Sequence, residues 1–139
     1  MTFEACAELV QRGDSDRFLS AMTAEPEDRG ALMALYAFNL EVARAPWVTK
    51  EEIIAEMRLQ WWADAIEEIF EGREPRSHEV VTPLAQVIRE RGLGKAPFAN
   101  LVQARRFDIY RDAHEDRAAF DEYVDATAGG LMWLAASAL

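Results

Sequence analysis

The sequence contains little cysteine and few basic residues. Cys6 is the one cysteine among 139 residues, so no internal disulfide can form, and this favours a reducing compartment. There are 15 Lys and Arg residues against 25 Asp and Glu residues, which gives a formal net charge of −10. Because phosphate binding needs clustered Lys and Arg, this charge argues against nucleic acid as the main partner. It also argues against simple electrostatic adhesion to an anionic membrane.

Long apolar runs are missing as well. No stretch approaches the ~20 apolar residues that span a bilayer, and segment 1–11 has acids but no basic region of the kind that opens a signal peptide. Half of the residues are apolar, which is enough to bury a core, and the length fits a single domain over residues 1–139. We therefore expect a soluble, cytoplasmic protein with no transmembrane segment.

Strand signals are absent. There is no Asn-Gly or Asp-Gly turn and no sustained two-residue alternation. Apolar residues recur at helical spacing instead, so we expect an all-α helical bundle. The predicted helices cover approximately residues 3–12, 16–23, 26–43, 50–71, 82–91, 97–110 and 118–139.

The longest predicted helix, over residues 50–71, follows a Thr49-Lys50-Glu51-Glu52 capping box, and Ser15 is the expected cap of the second helix. Adjacent residues on a helix point about 100° apart. We therefore expect Trp61 in the core and Trp62 at a boundary or partner surface, with core packing as the default for both. The predicted apolar stripe of this helix consists of Ile54, Met57, Trp61, Ala65 and Ile69.

The last predicted helix has two unusual features. Gly129 and Gly130 lie inside it, at a cost of roughly 1 kcal/mol each in helix propensity, which indicates close helix approach or room for a ligand, with packing as the default. Residues 131–139 are apolar except for Ser137 and carry no capping glycine or basic residue. This helix is expected to be cut, or to be covered by something outside this chain.

Few residue patterns point to chemistry. Asp108 and Asp112, four residues apart, could share a divalent cation, but with 25 acids a solvated face is the default interpretation. His78 and His114 have no Cys or His at the spacing of zinc ligands, and Cys6 has no evident histidine base. No Gly-rich phosphate loop is present. Two further acidic groups with the same default are Asp64, Glu67, Glu68 and Glu71, and Asp121, Glu122 and Asp125.

Three blocks resemble the squalene/phytoene synthase family. They are residues 16–38, which contain Asp-Arg-Phe-Leu, Pro-Glu-Asp-Arg and Ala-Leu-Met-Ala-Leu-Tyr-Ala-Phe; residues 58–62, Arg-Leu-Gln-Trp-Trp; and residues 123–130, Tyr-Val-Asp-Ala-Thr-Ala-Gly-Gly. The resemblance implies the isoprenoid synthase fold. Because the family's full length is about twice this chain, the sequence would form the N-terminal half of that fold, apparently incomplete at its C-terminus.

The resemblance also shows that one motif of the family's enzymes is missing from this sequence. In enzymes of this family, the Tyr-Ala-Phe block runs into an aspartate-rich motif that holds Mg²⁺ for the substrate diphosphate. Here the motif positions are Asn39, Ala43 and Arg44, which carry no carboxylate, and Glu41 is out of register. We therefore expect no catalytic residue, no metal and no cofactor. The segment 37–44, followed by 58–62, is similar to the family's non-catalytic branch, which includes a mitochondrial complex I assembly factor.

In the family, small residues near the Tyr-Ala-Gly segment line the prenyl cavity. The resemblance implies an apolar groove for an isoprenoid tail or a partner helix, with an ordinary packed core as the alternative. The expected lining is Phe38, Val42, Tyr123, Ala126, Gly130 and Trp133.

Three functions stay open. The first is a binding or assembly protein with a vestigial prenyl groove. The second is a Mg²⁺-dependent transferase that condenses two prenyl diphosphates, and the third is a plain helical interaction module. The expected partners are a second copy of the chain or a missing C-terminal half, together with an isoprenoid or a protein.

Overall fold

A computed structural model describes residues 3–139, all in helices, turns and loops without a strand. Met1 and Thr2 lie outside the described residues. They belong to segment 1–11, in which no signal peptide is expected. The prediction of an all-α fold is confirmed. The helices are α1 (Glu4–Gly13), α2 (Ser15–Ala21), α3 (Pro26–Arg44), α4 (Glu52–Phe70), α5 (Val81–Arg91), α6 (Ala96–Tyr110), α7 (Arg117–Val124) and α8 (Gly130–Ala138), with a π-helical segment (Asp125–Gly129) joining α7 to α8.

Helix α3 forms the centre of the bundle. Helices α1, α2, α5, α6 and α8 all pack against it, and its middle is buried on every side, as expected for a helix that is apolar all round. Phe38, which is fully buried, meets Trp62 of α4 and Phe98 of α6 edge-on, with ring centroids 5.5 and 5.4 Å apart. Helix α3 therefore fixes α4 and α6 relative to the rest of the bundle.

The buried face of α4 differs from the predicted stripe. Trp62 is only 5% exposed and Trp61 is half-buried and packs against the core. Core packing, the default for both, therefore holds for Trp62, but the division of roles expected between the two tryptophans is reversed. Ile54 and Met57 are 37% and 65% exposed. Ala65 and Ile69 of the predicted stripe are buried, but in the first half of the helix a neighbouring row, spaced three and four residues apart, faces α3 and α6. The buried residues of α4 are Ala55, Leu59, Trp62, Ala65, Ile66 and Ile69.

Two predicted caps also differ. The Asp14 carboxylate, not Ser15, accepts the hydrogen bond from Arg17 N at the start of α2, at 3.4 Å. The Thr49 hydroxyl accepts from Glu51 N at 3.1 Å, and α4 begins at Glu52 without a side-chain cap. The threonine therefore forms a tight turn before the helix instead of a capping box.

The predicted last helix consists of α7, the π segment and α8. Thr127, which is buried, donates from its hydroxyl to the Tyr123 carbonyl at 2.8 Å inside the π segment. The glycine pair follows directly. A Cβ on Gly130 would lie 3.8 Å or more from any neighbouring atom, and one on Gly129 would lie 3.0 Å from Asp125 Oδ1. No close helix approach requires a glycine at residue 130.

Cys6 lies in the core of the bundle beneath the loop that precedes α5. Its thiol is fully buried and contacts the Glu79 carbonyl at 3.7 Å. Burial, with a contribution from the Glu79 charge, raises the pKa of the Cys6 thiol to about 12. A protonated, buried thiol is unreactive, which agrees with the absence of a histidine base. Among residues 3–139, no helix combines the length and the apolar character needed to cross a membrane.

Candidate functional site

A groove of about 550 Å³ opens between the C-terminal end of α3 and the first half of α4, and the loop before α5 closes one side. We call it the α3–α4 groove. It contains Arg44, one of the three positions at which the sequence departs from the aspartate-rich motif. Its lining residues are Glu41, Arg44, Ala45, Val48, Ile54, Met57, Arg58, Trp61, Trp62 and His78.

The aromatic wall of the groove is continuous with the core. The rings of Trp61 and Trp62 meet edge-on at 5.1 Å, and Trp62 in turn contacts Phe38. His78 lies 5.0 Å from Trp61 and 5.5 Å from Trp62, measured between ring centroids. Because these rings pack on the buried centre of α3, the position of the wall is set by the core.

The loop before α5 is held in place by Arg76. Its guanidinium donates two hydrogen bonds to the Glu68 carboxylate, at 2.9 and 3.0 Å, and lies 5.0 Å above the Trp61 ring. His78 Nδ1 accepts hydrogen bonds from the backbone N–H groups of Val80 and Val81, at 3.1 and 3.3 Å. N–H groups at the start of a helix have no acceptor within the helix, and the imidazole supplies one. The loop and both tryptophans therefore form a preorganised surface.

The charges in the groove differ from those of the whole chain. Arg44 and Arg58 line it together with one carboxylate, Glu41. Among residues 3–139, no carboxylate oxygen lies within 4.0 Å of either guanidinium. The nearby acids of α4 bind elsewhere: Glu56 accepts from Arg106 and Tyr110 of α6, and Glu68 accepts from Arg76. The groove is thus a cationic site on an acidic protein.

The groove does not suit the Mg²⁺ that the resemblance implies for catalytic members of the family. Magnesium prefers carboxylate and water oxygens in an octahedral arrangement, but Asn39 is buried, Ala43 has no ligand atom, and Arg44 is cationic. Glu41 is the one carboxylate in the lining. Within the part of the chain that the structure describes, no group of three or more acidic, His or Cys residues could hold a metal ion.

The structure does not bring the six expected lining residues together. Phe38 and Val42 are fully buried, because α3 is surrounded by other helices, and neither lines the α3–α4 groove. Ala126, Gly130 and Trp133 line a separate cavity of about 330 Å³ beside the start of α6. Tyr123 and Ala126 line a third, shallow cavity of about 790 Å³.

Tyr123 belongs to a polar cluster between α6 and α7. Its hydroxyl donates to Asp108 at 2.7 Å, and Arg105 donates to both the Tyr123 hydroxyl, at 2.9 Å, and Asp108, at 3.1 Å. Burial and then the hydrogen bond to Asp108 raise the pKa of the Tyr123 hydroxyl. Because Asp108 is paired with Arg105 and Tyr123 while Asp112 is exposed, the two carboxylates do not form a shared cation site.

Sequence reasoning missed Arg58 and His78 as groove residues. Arg58 stands one turn before the tryptophan pair in the Arg-Leu-Gln-Trp-Trp block, so its helical position pointed to the same region. His78 gave no such signal, because its place against the two rings depends on how the loop folds back over α4.

Comparison with known proteins shows which family the chain resembles. The sequence profile of the family described as squalene/phytoene synthase matches residues 10–139. A Drosophila melanogaster protein named NADH dehydrogenase (ubiquinone) complex I, assembly factor 6 homolog is 34% identical over 136 residues, which cover 93% of this chain and 40% of that protein. The Homo sapiens assembly factor 6 is 26% identical over 129 residues, covering 93% and 38%.

Among solved structures, a dehydrosqualene synthase in complex with ligand superposes with a TM-score of 0.88 at 19% identity, and covers 99% of this chain and 47% of that one. At this identity the likeness shows the fold. The chain thus has the isoprenoid synthase fold and spans well under half the length of the two assembly factor 6 proteins that it matches. From the profile match over nearly its whole length, the chain belongs to the squalene/phytoene synthase family.

Proposed function

We propose that this chain is a non-catalytic member of the family that acts as a binding protein in the assembly of a respiratory NADH dehydrogenase complex. The observation that carries the proposal is Arg44, a cationic side chain in the α3–α4 groove, at a position where the resemblance implies a carboxylate in the catalytic members. The names of the relatives, complex I assembly factor 6, supply the process.

The physical reason concerns the leaving group. Release of diphosphate in the catalytic members needs a divalent cation as Lewis acid, and that cation needs several carboxylate oxygens. Arg44 and Arg58 would repel Mg²⁺ at this place, and Glu41 alone would not hold it. The alternative function, Mg²⁺-dependent condensation of prenyl diphosphates, would need its carboxylates from outside the described residues.

The first test is enzymatic. Incubation of the purified chain with farnesyl or geranylgeranyl diphosphate and Mg²⁺ should yield no condensed hydrocarbon, while a catalytic member of the family treated identically does. The double variant Ala43→Asp, Arg44→Asp serves as a second control, because it places acids at these two motif positions. A condensed product from the unaltered chain would overturn the proposal.

The second test concerns assembly. Deletion of the gene in the source organism should lower the amount of assembled NADH dehydrogenase complex, measured by native gel electrophoresis and by NADH oxidation in membranes. Re-expression of the natural sequence should restore both. An unchanged level of complex after deletion would count against a role in assembly.

Three finer properties stay proposals. We propose that the 330 Å³ cavity beside Ala126, Gly130 and Trp133 is what remains of a prenyl groove, and that the protein works in the cytoplasm as a homodimer. The small residues and the exposed Trp133 support the groove, and the single, buried cysteine supports a reducing compartment.

A further inference from the structure

We infer that the α3–α4 groove binds an acidic amphipathic helix presented by a protein partner. This inference rests on the proposed function and names the chemistry of the partner. Three features of the groove carry it: its charge, the apolar surface that continues beyond it, and its rigidity.

The charge selects an acidic partner. Arg44 and Arg58 face the groove without a carboxylate within 4.0 Å among residues 3–139, on a chain with a formal net charge of −10. A guanidinium beside an apolar wall can form bidentate hydrogen bonds with a carboxylate. Since the rest of the protein repels acidic surfaces, an acidic partner would be directed to this groove.

The apolar surface selects an elongated partner. Trp47 directly precedes Val48 of the groove lining, and Ile53 lies one turn before Met57 of the lining on α4. The three side chains of Trp47, Ile53 and Met57 are 57%, 69% and 65% exposed. A small ligand inside the groove would leave Trp47 and Ile53 in water. A helix with apolar residues three and four positions apart covers both the groove and this extension.

Rigidity lowers the cost of binding. The Arg111 guanidinium lies 4.5 Å from the centre of the Trp47 ring and holds that ring beside the end of α6. At the other end, Arg76 holds Trp61 and the loop before α5. Because the surface is already ordered before a partner arrives, little conformational freedom is lost on binding.

The test uses two designed peptides of about 18 residues with leucine at positions i, i+3, i+4 and i+7. They differ only in their flanking residues, which are glutamate in one and lysine in the other. Fluorescence anisotropy with the intact chain should show the acidic peptide binding at least about ten-fold more tightly than the basic one, with an affinity that falls as salt is added.

Variants locate the interaction. The double variant Arg44→Glu, Arg58→Glu should reverse the preference between the peptides. Arg89→Glu, on the exposed side of α5 and outside the groove, makes a single charge reversal and should preserve the preference. Glu41→Gln removes the one carboxylate of the groove and should tighten the acidic peptide several-fold. All these side chains are exposed or half-buried, and circular dichroism checks that the variants fold.

Three outcomes would overturn the inference: equal affinity for the two peptides, no binding of the acidic peptide at millimolar concentration, or a preference that survives the double reversal. Dissociation of a dimer of the chain when the acidic peptide is added, measured by light scattering, would show that a second copy occupies the groove instead. Displacement by vesicles of phosphatidylglycerol would assign the groove to a membrane. If deletion of the gene leaves the NADH dehydrogenase complex unchanged while the peptides behave as expected, the assembly role fails and the groove chemistry stands.

Discussion

Two side chains, Trp62 and Arg76, connect the buried core to the wall of the α3–α4 groove. Trp62 contacts Phe38 on its inner side and Trp61 and His78 on its outer side. Arg76 covers Trp61 from the loop and is tied to Glu68 of α4. Stability and groove shape therefore depend on the same few contacts.

The first prediction concerns Trp62, which is 5% exposed. Truncation of a buried aromatic ring removes its transfer free energy and leaves a cavity, so Trp62→Ala should lower the free energy of unfolding by about 3–5 kcal/mol. Leu19→Ala is the control, since that side chain belongs to α2 and is 63% exposed, so its truncation should change stability by about 0.5 kcal/mol or less. Urea unfolding followed by circular dichroism measures both. Equal losses would contradict the packing described for α4.

The second prediction concerns acid stability. The hydrogen bonds from Arg76 hold the pKa of Glu68 below its usual value. A carboxyl whose pKa is lowered on folding contributes stability above its unfolded pKa, and this contribution is lost as the pH falls through the folded value. Arg76→Ala removes that pairing, so the variant should be less stable at pH 7 and should lose less further stability between about pH 6 and pH 3 than the natural chain.

Urea midpoints at several pH values measure this difference. Arg117→Ala is the control, because Arg117 and Asp121 form an exposed pair with side chains that are 85% and 59% accessible, and pairs of this kind contribute little. If the natural chain and Arg76→Ala lose the same amount of stability on acidification, Glu68 is not the group responsible.

At the scale of whole elements, the π segment is the main irregularity. It inserts an extra residue between α7 and α8, and the Thr127 hydroxyl donates a hydrogen bond to the Tyr123 carbonyl oxygen there. Such segments arise where one residue too many must fit within a helix. Here it lies between the cavity beside Gly130 and the one beside Tyr123, and Ala126 contributes to both.

The third prediction contrasts two glycines in helices. Gly130→Ala should stabilise the chain by about 0.5–1 kcal/mol, because helix propensity rises and the new methyl group finds its nearest neighbours at 3.8 and 3.9 Å. Gly30→Ala should destabilise it, because the methyl group would lie 2.8 Å from the Phe3 ring. Thermal unfolding of the two variants separates them. A loss of stability in Gly130→Ala would show that the π segment needs glycine there.

Proline and glycine signals predicted the bounds of the elements well, because helix breakers act within a few residues. Pro26, Gly72 and Gly92 placed helix ends close to where the structure has them. The phase of the first half of α4 was wrong, because both rows of its side chains are apolar and periodicity alone cannot choose between them. The observed orientation of α4 packs Trp62 on Phe38 of α3 and brings Glu56 within hydrogen-bond distance of Arg106 and Tyr110 of α6.

The candidate site was predicted only in part for a similar reason. Arg44 was identified from its place after the Tyr-Ala-Phe block, since a missing carboxylate is visible in the sequence. The groove that contains it also needs Arg58 and His78, which come from another helix and from a loop. Their proximity follows from packing across more than ten residues of chain, which no local pattern records.

At the scale of the molecule, two groups of exposed apolar side chains are of interest for association. One borders the α3–α4 groove. The other lies on the outer face of α8, where Met132 and Trp133 are 74% and 67% exposed. Monomeric proteins rarely leave a large contiguous apolar patch in water. The resemblance implies a bundle of about twice this size, and a second copy of the chain could supply the helices that cover α8.

The last prediction is therefore self-association through the face of α8. Light scattering at micromolar concentration should give a mass near twice the 15.7 kDa of one chain. Trp133→Glu should raise the dimer dissociation constant by at least about ten-fold, because an aromatic residue at the centre of an interface contributes about 2 kcal/mol or more and the added carboxylate would be buried against its copy. Arg89→Gln, on the exposed side of α5, makes the same change of one unit in net charge and should leave the mass unchanged. Because the net charge of −10 opposes association and salt screens it beyond about 10 Å, the dimer should strengthen as salt is added, opposite to the acidic peptide. A mass of 15.7 kDa at every concentration and salt level, with cooperative unfolding, would show that this bundle is stable with the α8 face uncovered.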